Sequence, residues 1–199
     1  MNEENTIIIL THNNQDCIEK TINTLNEYMS KHPSTTQLII SDNASNDLTL
    51  PKIIHQINQL ANPKILLITQ PQPIPPKKCL LVALEQVQTN ITVLLDPPLF
   101  VRLHQIKKQV ELLRKCDFVI PSRLHKDSRT NYQPDLKKKL TRIFNKKRYE
   151  DLENPNKTFH TKVILPLIRK AKTENYWEEI IENNPRIRIT QTSTHWVKQ

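Results

Sequence analysis

The acid that ends the apolar run in "NITVLLDPPLF", residues 90–100, is the first candidate for chemistry. Ile91-Thr92-Val93-Leu94-Leu95 has the composition of a buried strand, and such a strand delivers its terminal Asp96 to the edge of a sheet. A carboxylate there can hold a divalent cation, which in turn neutralises phosphate charge. Asp-x-Asp spacing would supply two carboxylates, but Pro98 stands at the second place. The competing reading takes Asp96-Pro97-Pro98 as a turn without a ligand. "IILTHNN" (8–14) offers Thr11, His12 and Asn13 to a base or ribose; alternatively it is a polar strand-to-helix turn with Asp16 as the N-cap. "SDNASNDLT" (41–49) places Asp42 at a strand end, with Ser45 and Asp47 behind it. Such an acid accepts hydrogen bonds from ribose or base donors, unless it serves an Asx turn that caps the next helix. Asn43 and Ser45 are able to do that capping, which leaves Asp42 for a ligand.

The elements that must position these residues alternate. Strand-like runs cover Thr6–Leu10, Gln37–Ser41, Ile65–Thr69, Ile91–Leu95 and Phe118–Ile120. Helical periodicity fills the gaps at Asp16–Ser30, Leu50–Leu60, Lys78–Val87 and Arg102–Cys116. Short Ile/Leu/Val runs separated by amphipathic helices predict βαβ units and a mostly parallel sheet flanked by helices, an α/β fold. Thr11-His12-Asn13, Asp42-Asn43 and Asp96 then gather at its carboxyl edge, where open α/β sheets bind ligands. "QPQPIPPKK" (70–78) reads as a loop. Beyond Pro121, residues 122–134 are irregular and Asp135–Tyr149 form a basic helix. Helices follow at Lys162–Lys172 and Trp177–Glu182, with a last strand from Arg186–Gln191 onwards.

Composition removes several function classes. At 199 residues the chain suits a single domain. Cys17, Cys79 and Cys116 have no CxxC or CxxxH spacing, so they read as reduced thiols of a cytosolic protein. "MNEENTIIIL" lacks a signal-peptide pattern, and no run approaches the roughly 20 apolar residues of a membrane span. The chain is therefore expected to be cytoplasmic and not to cross a membrane by itself. Glycine is absent, which excludes Walker A and GxGxxG phosphate loops. The 18 Asn and 14 Pro are expected to make the turns instead. The seven His form no zinc pattern, and no GxSxG elbow is present.

Charge divides the chain. Residues 1–100 hold 6 Lys/Arg and 9 Asp/Glu (net −3), whereas residues 101–199 hold 23 and 11 (net +12). The basic half suits phosphates on a nucleotide, a lipid headgroup or a nucleic acid. "DLKKKLTRIFNKKRY" has few aromatics, so nucleic acid is the least favoured of the three.

In combination, the segments resemble family-2 inverting glycosyltransferases of the GT-A (nucleotide-diphospho-sugar transferase) fold, most of all the dolichol-phosphate mannose synthases. The resemblance runs end to end. "IIILTHNNQDCIEKTINTL" is similar to the family's opening strand, polar turn and first helix, and "LIISDNASNDLT" to its acidic sugar-nucleotide segment. "PPKKCLLVALEQVQTNITVLLDPPLF" stands where the family has a Gly-Lys-Gly helix and then Asp-x-Asp. "DFVIPSRL" resembles its Gly-Ser-Arg strand and loop. "DLKKKLTRIFN" resembles a later helix, with Thr141, Arg142 and Asn145 in matching places. "EDLENPNKTFHTKVI" resembles its Asp-x-x-Gly-x-x-Arg/Lys segment, matching Asp151 and Lys157. "NYWEEII" resembles the Glu-bearing helix, matching Glu179. Pro121, Asn154 and Pro98 replace family residues, and "QTSTHW" lacks a usual Glu and Pro.

The resemblance implies an enzyme that moves a sugar, mannose from GDP-mannose, to a polyprenyl or dolichyl phosphate at a membrane surface. Residues 1–100 would be its nucleotide-binding half and 101–199 its basic acceptor half. It implies Asp96 and Arg123 as catalytic residues, with Asp96 on Mg²⁺ or Mn²⁺. Thr11, His12, Asn13, Asp42 and Asp47 would bind the nucleotide sugar. Arg123, Arg142, Lys157 and Asp151 would serve the phosphates. It further implies peripheral attachment to the cytosolic face of a membrane, with a small membrane-anchoring subunit. The losses at Pro98 and at every glycine favour an alternative: an impaired relative that binds a nucleotide or protein partner without transfer.

Overall fold

The computed structural model describes residues 4–98, 103–125, 127–128, 149 and 151–194. Its strands are β1 (Asn5–Thr11), β2 (Thr35–Asp42), β3 (Ile65–Thr69), β4 (Ile91–Leu95), β5 (Phe118–Ser122), β6 (Lys157–His160) and β7 (Ile189–Ser193). The helices are α1 (Ile18–Lys31), α2 (Thr49–Leu60), α3 (Pro76–Leu84), α4 (His104–Leu112), α5 (Thr161–Lys170) and α6 (Tyr176–Asn183).

One sheet joins the strands in the order β3-β2-β1-β4-β6-β5-β7. β1 pairs in parallel with β2 and β4, β2 with β3, and β5 with β7. β6 is antiparallel to both β4 and β5, so β4 and β5 run the same way. The sheet is thus mostly parallel, as the alternating pattern requires.

Period-two alternation explains the layers. Ile7 and Ile9 of β1 face one side with Leu38, Ile40, Val93 and Leu95. There they meet Ile18, Ile22 and Leu25 of α1, Ile53 of α2 and Ile106 of α4. Ile8 faces the other way with Ile39, Leu94, Phe118 and Phe159, against Leu80 of α3, Ile164 of α5 and Ile180 of α6. Both faces of β1 are covered, so its apolar run is continuous, as expected of a parallel strand between helix layers. Each Ile or Leu so buried contributes about 1.5–3 kcal/mol.

Several details differ from the sequence reading, among them the end of α4 at Leu112 where Cys116 was expected. Cys17, not Asp16, occupies the N-cap of α1, and no side chain caps that end. α3 starts at Pro76, two residues early, because proline fits the first helical turn. β6 was not expected: four residues, KTFH, are too short for an alternation signal, and tertiary pairing alone makes them a strand. The left-handed backbone positions among the described residues are Asn13, Ala44 and Ala61, with φ of 53°, 55° and 45°. Asparagine takes glycine's part at the first, but alanine does so at the other two.

Candidate functional site

The carboxyl edge of the sheet is where the polar residues converge. After β1, Thr11 is buried and its Oγ1 donates to Asn14 Oδ1 (2.9 Å). His12 and Asn13 are exposed. His12 Nδ1 donates to the Asn43 carbonyl (2.9 Å), which fixes the ring's protonated nitrogen. The left-handed Asn13 donates its N–H to Ser45 Oγ (2.9 Å) and accepts from the Asn46 N–H through Oδ1 (2.9 Å). Asn43 exchanges two hydrogen bonds of 2.9 Å with the Ile74 backbone. The loops after β1, β2 and β3 are therefore one cross-linked surface, with His12, Asn13 and Asn46 facing solvent.

The acids of the second loop are spent inside it. Asp42 is fully buried and accepts from Ser45 N–H (3.1 Å) and Ser45 Oγ (2.5 Å). The expectation that Asp42 stays free for a ligand is therefore corrected: Ser45 donates to Asp42 instead of replacing it as the loop's acceptor. Asp47 accepts from Thr49 N–H (2.9 Å) and Gln15 N–H (3.3 Å). Desolvation pushes its carboxyl up, but the hydrogen bonds from Thr49 and Gln15 outweigh this and hold it below the usual range. Asp47 thus closes an Asx turn, whereas Asp42 holds the residue three places on.

Asp96 follows β4 and is half-buried, and its backbone N–H donates to Asn156 Oδ1 (3.0 Å). Among the described residues nothing donates a hydrogen bond to its carboxylate. Burial raises the Asp96 pKa and the charge of Arg123 partly opposes that rise. Its field also reaches Cys17, whose thiol is pushed up by burial first and by Asp96 second. Pro97 does make a turn, and its carbonyl accepts from Thr21 Oγ1. The turn expected at Pro97-Pro98 is present, and it leaves Asp96 at the carboxyl end of β4.

Arg123, just past β5, is buried and gripped by Asp151. The Asp151 carboxylate accepts from Arg123 N–H (2.7 Å), Nε (2.8 Å) and Nη2 (2.6 Å). Lys157 opens β6 and is fully buried. Its Nζ donates to the Asn154 carbonyl and lies 5.9 Å from the Trp177 ring centre. Burial drives its pKa down to about 7; Asp151 opposes the shift and Arg123 adds to it. Arg123, Asp151 and Lys157 thus form one interior cluster, whereas their expected role was at an open phosphate surface. Arg142 lies outside the described residues. Glu179 accepts from the N–H groups of Lys172 (2.9 Å) and Thr173 (2.8 Å), so it braces the loop before α6.

Sequence reasoning missed Asn154 and Asn156, which are 1% and 2% exposed and cross the carboxyl edge from β4 to β5. Two closely spaced Asn at a place matched to a glycine were the available signal. Beside them lies a groove of about 300 Å³ lined by Leu152, Asn154, Pro155 and Trp177. Through Glu174 and Asn175 it meets a second, of about 580 Å³, bordered by Lys77, Lys78, Lys172 and Tyr176. A smaller cavity between Asn5, Tyr28 and Arg114 opens at the opposite edge of the sheet.

A cation at this edge has one obvious protein ligand. Among the described residues no three His, Cys, Asp or Glu cluster to hold a metal. Asp96 fits as a single carboxylate ligand, because it is only half-buried and accepts no hydrogen bond from any described residue. The remaining positions would come from phosphate oxygens and water, as in Mg²⁺ sites with one or two carboxylates.

The sequence profile described as Glycosyl transferase family 2 matches residues 6–191. Comparison with curated protein sequences yields no match. Among solved structures, glucosyl-3-phosphoglycerate synthase from Mycobacterium tuberculosis, in complex with Mn²⁺, UDP-glucose and phosphoglyceric acid, is similar at a TM-score of 0.68 and 14% identity. That likeness covers 99% of this chain and 73% of the synthase. The mannosyltransferase from Pyrobaculum calidifontis, in complex with GDP-Man and Mn²⁺, gives 0.70 and 14%, covering 98% and 57%. Mannosyl-3-phosphoglycerate synthase from Rubrobacter xylanophilus gives 0.69 and 10%, covering 99% and 68%. The chain thus spans less than two thirds of the mannosyltransferase. At such identities the likeness carries the fold, which is GT-A.

Proposed function

Because the chain belongs to glycosyl transferase family 2, we propose that it moves a sugar from a nucleotide diphosphate sugar to an acceptor, with the reaction centred on Asp96. The observation that carries this reading is the half-buried Asp96 carboxylate, which accepts no hydrogen bond from any described residue and faces the edge where the loops meet. A bound Mg²⁺ or Mn²⁺ would offset the charge that develops on the departing diphosphate. The protein's part would be to place Asp96 on that cation and to offer the exposed His12, Asn13 and Asn46 to the nucleoside.

The finer reading is mannose from GDP-mannose, passed with inversion to a polyprenyl or dolichyl phosphate. The new bond forms between an acceptor phosphate oxygen and the anomeric carbon as the bond to the diphosphate breaks. The diphosphate leaves with the electron pair. A phosphate acceptor is already ionised near neutrality, so positioning by cations matters more than a general base. Lys77, Lys78 and Lys172 border the larger groove and suit that task. The net +12 of residues 101–199 favours an anionic membrane face, with the protein peripheral on the cytosolic side. Among the described residues no helix is long and apolar enough to cross a membrane. A small membrane-anchoring subunit would supply attachment.

A second reading, binding without transfer, draws on three observations. Asp42 is spent on Ser45, Arg123 is spent on Asp151, and Pro98 stands where a second carboxylate would be. Labelled GDP-mannose and UDP-glucose, incubated with the protein, membranes and Mn²⁺, separate the two. Transfer abolished in Asp96→Ala supports the enzyme; nucleotide binding with no transfer of either sugar supports the alternative.

A further inference from the structure

We propose that Asn156, held by Asn154, is a positioning residue that sets Asp96 at a fixed place relative to the Arg123 end of β5. This rests on the reading of Asp96 as the cation ligand.

The need for such a device follows from the sheet. β4 and β5 are not neighbours, since β6 lies between them. The β4–β6 ladder ends at Leu94↔Lys157, and the β5–β6 ladder ends at Val119↔Thr158. Asp96 and Pro121 each lie two residues beyond those last pairs. At the edge where the chemistry is proposed, ladder hydrogen bonds between the two strand ends and β6 have stopped.

Two asparagine side chains take over from the ladder. Asn156 Oδ1 accepts from the Asp96 N–H (3.0 Å), and Asn156 Nδ2 donates to Asn154 Oδ1 (3.0 Å). Asn154 Nδ2 donates to the Pro121 carbonyl (2.6 Å), two residues before Arg123. The Asn156 N–H also donates to Asn154 Oδ1 (3.0 Å), and Lys157 Nζ donates to the Asn154 carbonyl. Both side chains are buried, so water competes little for these bonds. The relay therefore runs from β4 to β5 through defined atoms.

The choice of atom at Asp96 matters. Asn156 holds the backbone N–H, so both carboxylate oxygens keep their lone pairs for a cation while the main chain that carries them is fixed. An amide suits this place better than an acid, because it both accepts and donates and adds no charge beside Asp96. With Pro98 in place of a second carboxylate, the position of the single ligand decides more of the binding. Groups that orient metal ligands typically change metal affinity 10–100-fold when removed.

The test measures Mn²⁺ binding in the presence of GDP, by electron paramagnetic resonance, with no turnover required. Asn156→Ala is compared with the parent protein and with Asn62→Ala. Asn62 donates to Asn26 in a hydrogen bond remote from Asp96, so its loss reports stability alone. Asn156→Ser keeps a polar group in the buried site and serves if the alanine variant does not fold. The expected result is Mn²⁺ affinity lowered about tenfold or more in the Asn156 variants and unchanged in Asn62→Ala. Equal affinity in parent and folded Asn156 variants overturns the positioning role while leaving the cation reading intact. Absence of Mn²⁺ binding in the parent protein, with GDP bound, overturns the cation reading and the positioning role with it.

Discussion

Removing Asp151 should destabilise the protein far more than removing an ordinary surface acid. Asp151 is fully buried, Arg123 is 9% exposed, and three hydrogen bonds of 2.6–2.8 Å join them. In Asp151→Ala the buried guanidinium loses the carboxylate that accepts two of its hydrogen bonds, and the Arg123 N–H loses its acceptor. Breaking a buried pair from one side costs about 3–5 kcal/mol, a large share of the roughly 5–15 kcal/mol that holds a domain folded. With a urea dependence of about 2 kcal/mol per molar, the unfolding midpoint should fall by about 1.5–2.5 M. Equilibrium urea unfolding followed by circular dichroism measures this. Replacing both partners, as Arg123→Met with Asp151→Leu, should recover much of the loss, because it removes the buried charge together with its partner. A loss below about 1 kcal/mol, the range of exposed pairs, would refute the assignment of Arg123–Asp151 as a sealed interior pair.

Other consequences follow from the same structure. Burial lowers the Lys157 pKa to about 7, so between about pH 7 and lysine's ordinary range the unfolded chain binds a proton that the folded chain does not. Stability should therefore rise with pH across that window, by at most about 1.4 kcal/mol per unit from this group. Urea midpoints measured from pH 7 to 10 should lose that component of the slope in Lys157→Met; an unchanged slope would contradict it. Ala61 ends α2 in a left-handed conformation, where its Cβ is disfavoured, while its N–H still donates to the Ile57 carbonyl (3.0 Å). Ala61→Gly should stabilise by about 0.5–1 kcal/mol, a rise of a few degrees in Tm by calorimetry, whereas a fall would show that the αL assignment is wrong.

How far the sequence could be read depended on how local each cause was. β3 and β4 are bounded where the apolar runs stop, at Ile65–Thr69 and Ile91–Leu95, because both are ended by polar or proline residues. Asp96 was visible for the same reason: it is the first polar residue after five buried ones. β6 was invisible, since its four residues become a strand only by lying between β4 and β5. The state of Asp42 is not legible in sequence, because Ser45 looks equally able to donate or accept, and only the loop's closure decides that it donates. Lys157 reads as a phosphate ligand in sequence, yet the register Leu94↔Lys157 draws it into the interior. The asparagines at 154 and 156 carried a compositional hint, but their partners lie on strand ends remote in sequence.

If Asp96 supports sugar transfer through a divalent cation, its charge must be needed for turnover. The most direct measurement is transfer of labelled mannose from GDP-mannose to polyprenyl phosphate in membranes, with and without Mn²⁺, by the parent protein and Asp96→Asn. Asparagine keeps the size and the backbone N–H bond to Asn156 while removing the charge. The expected result is Mn²⁺-dependent transfer by the parent protein and at least a hundredfold loss in Asp96→Asn, about 2.7 kcal/mol of transition-state stabilisation. Transfer that persists in Asp96→Asn, or that proceeds equally in the presence of a chelator, would contradict it.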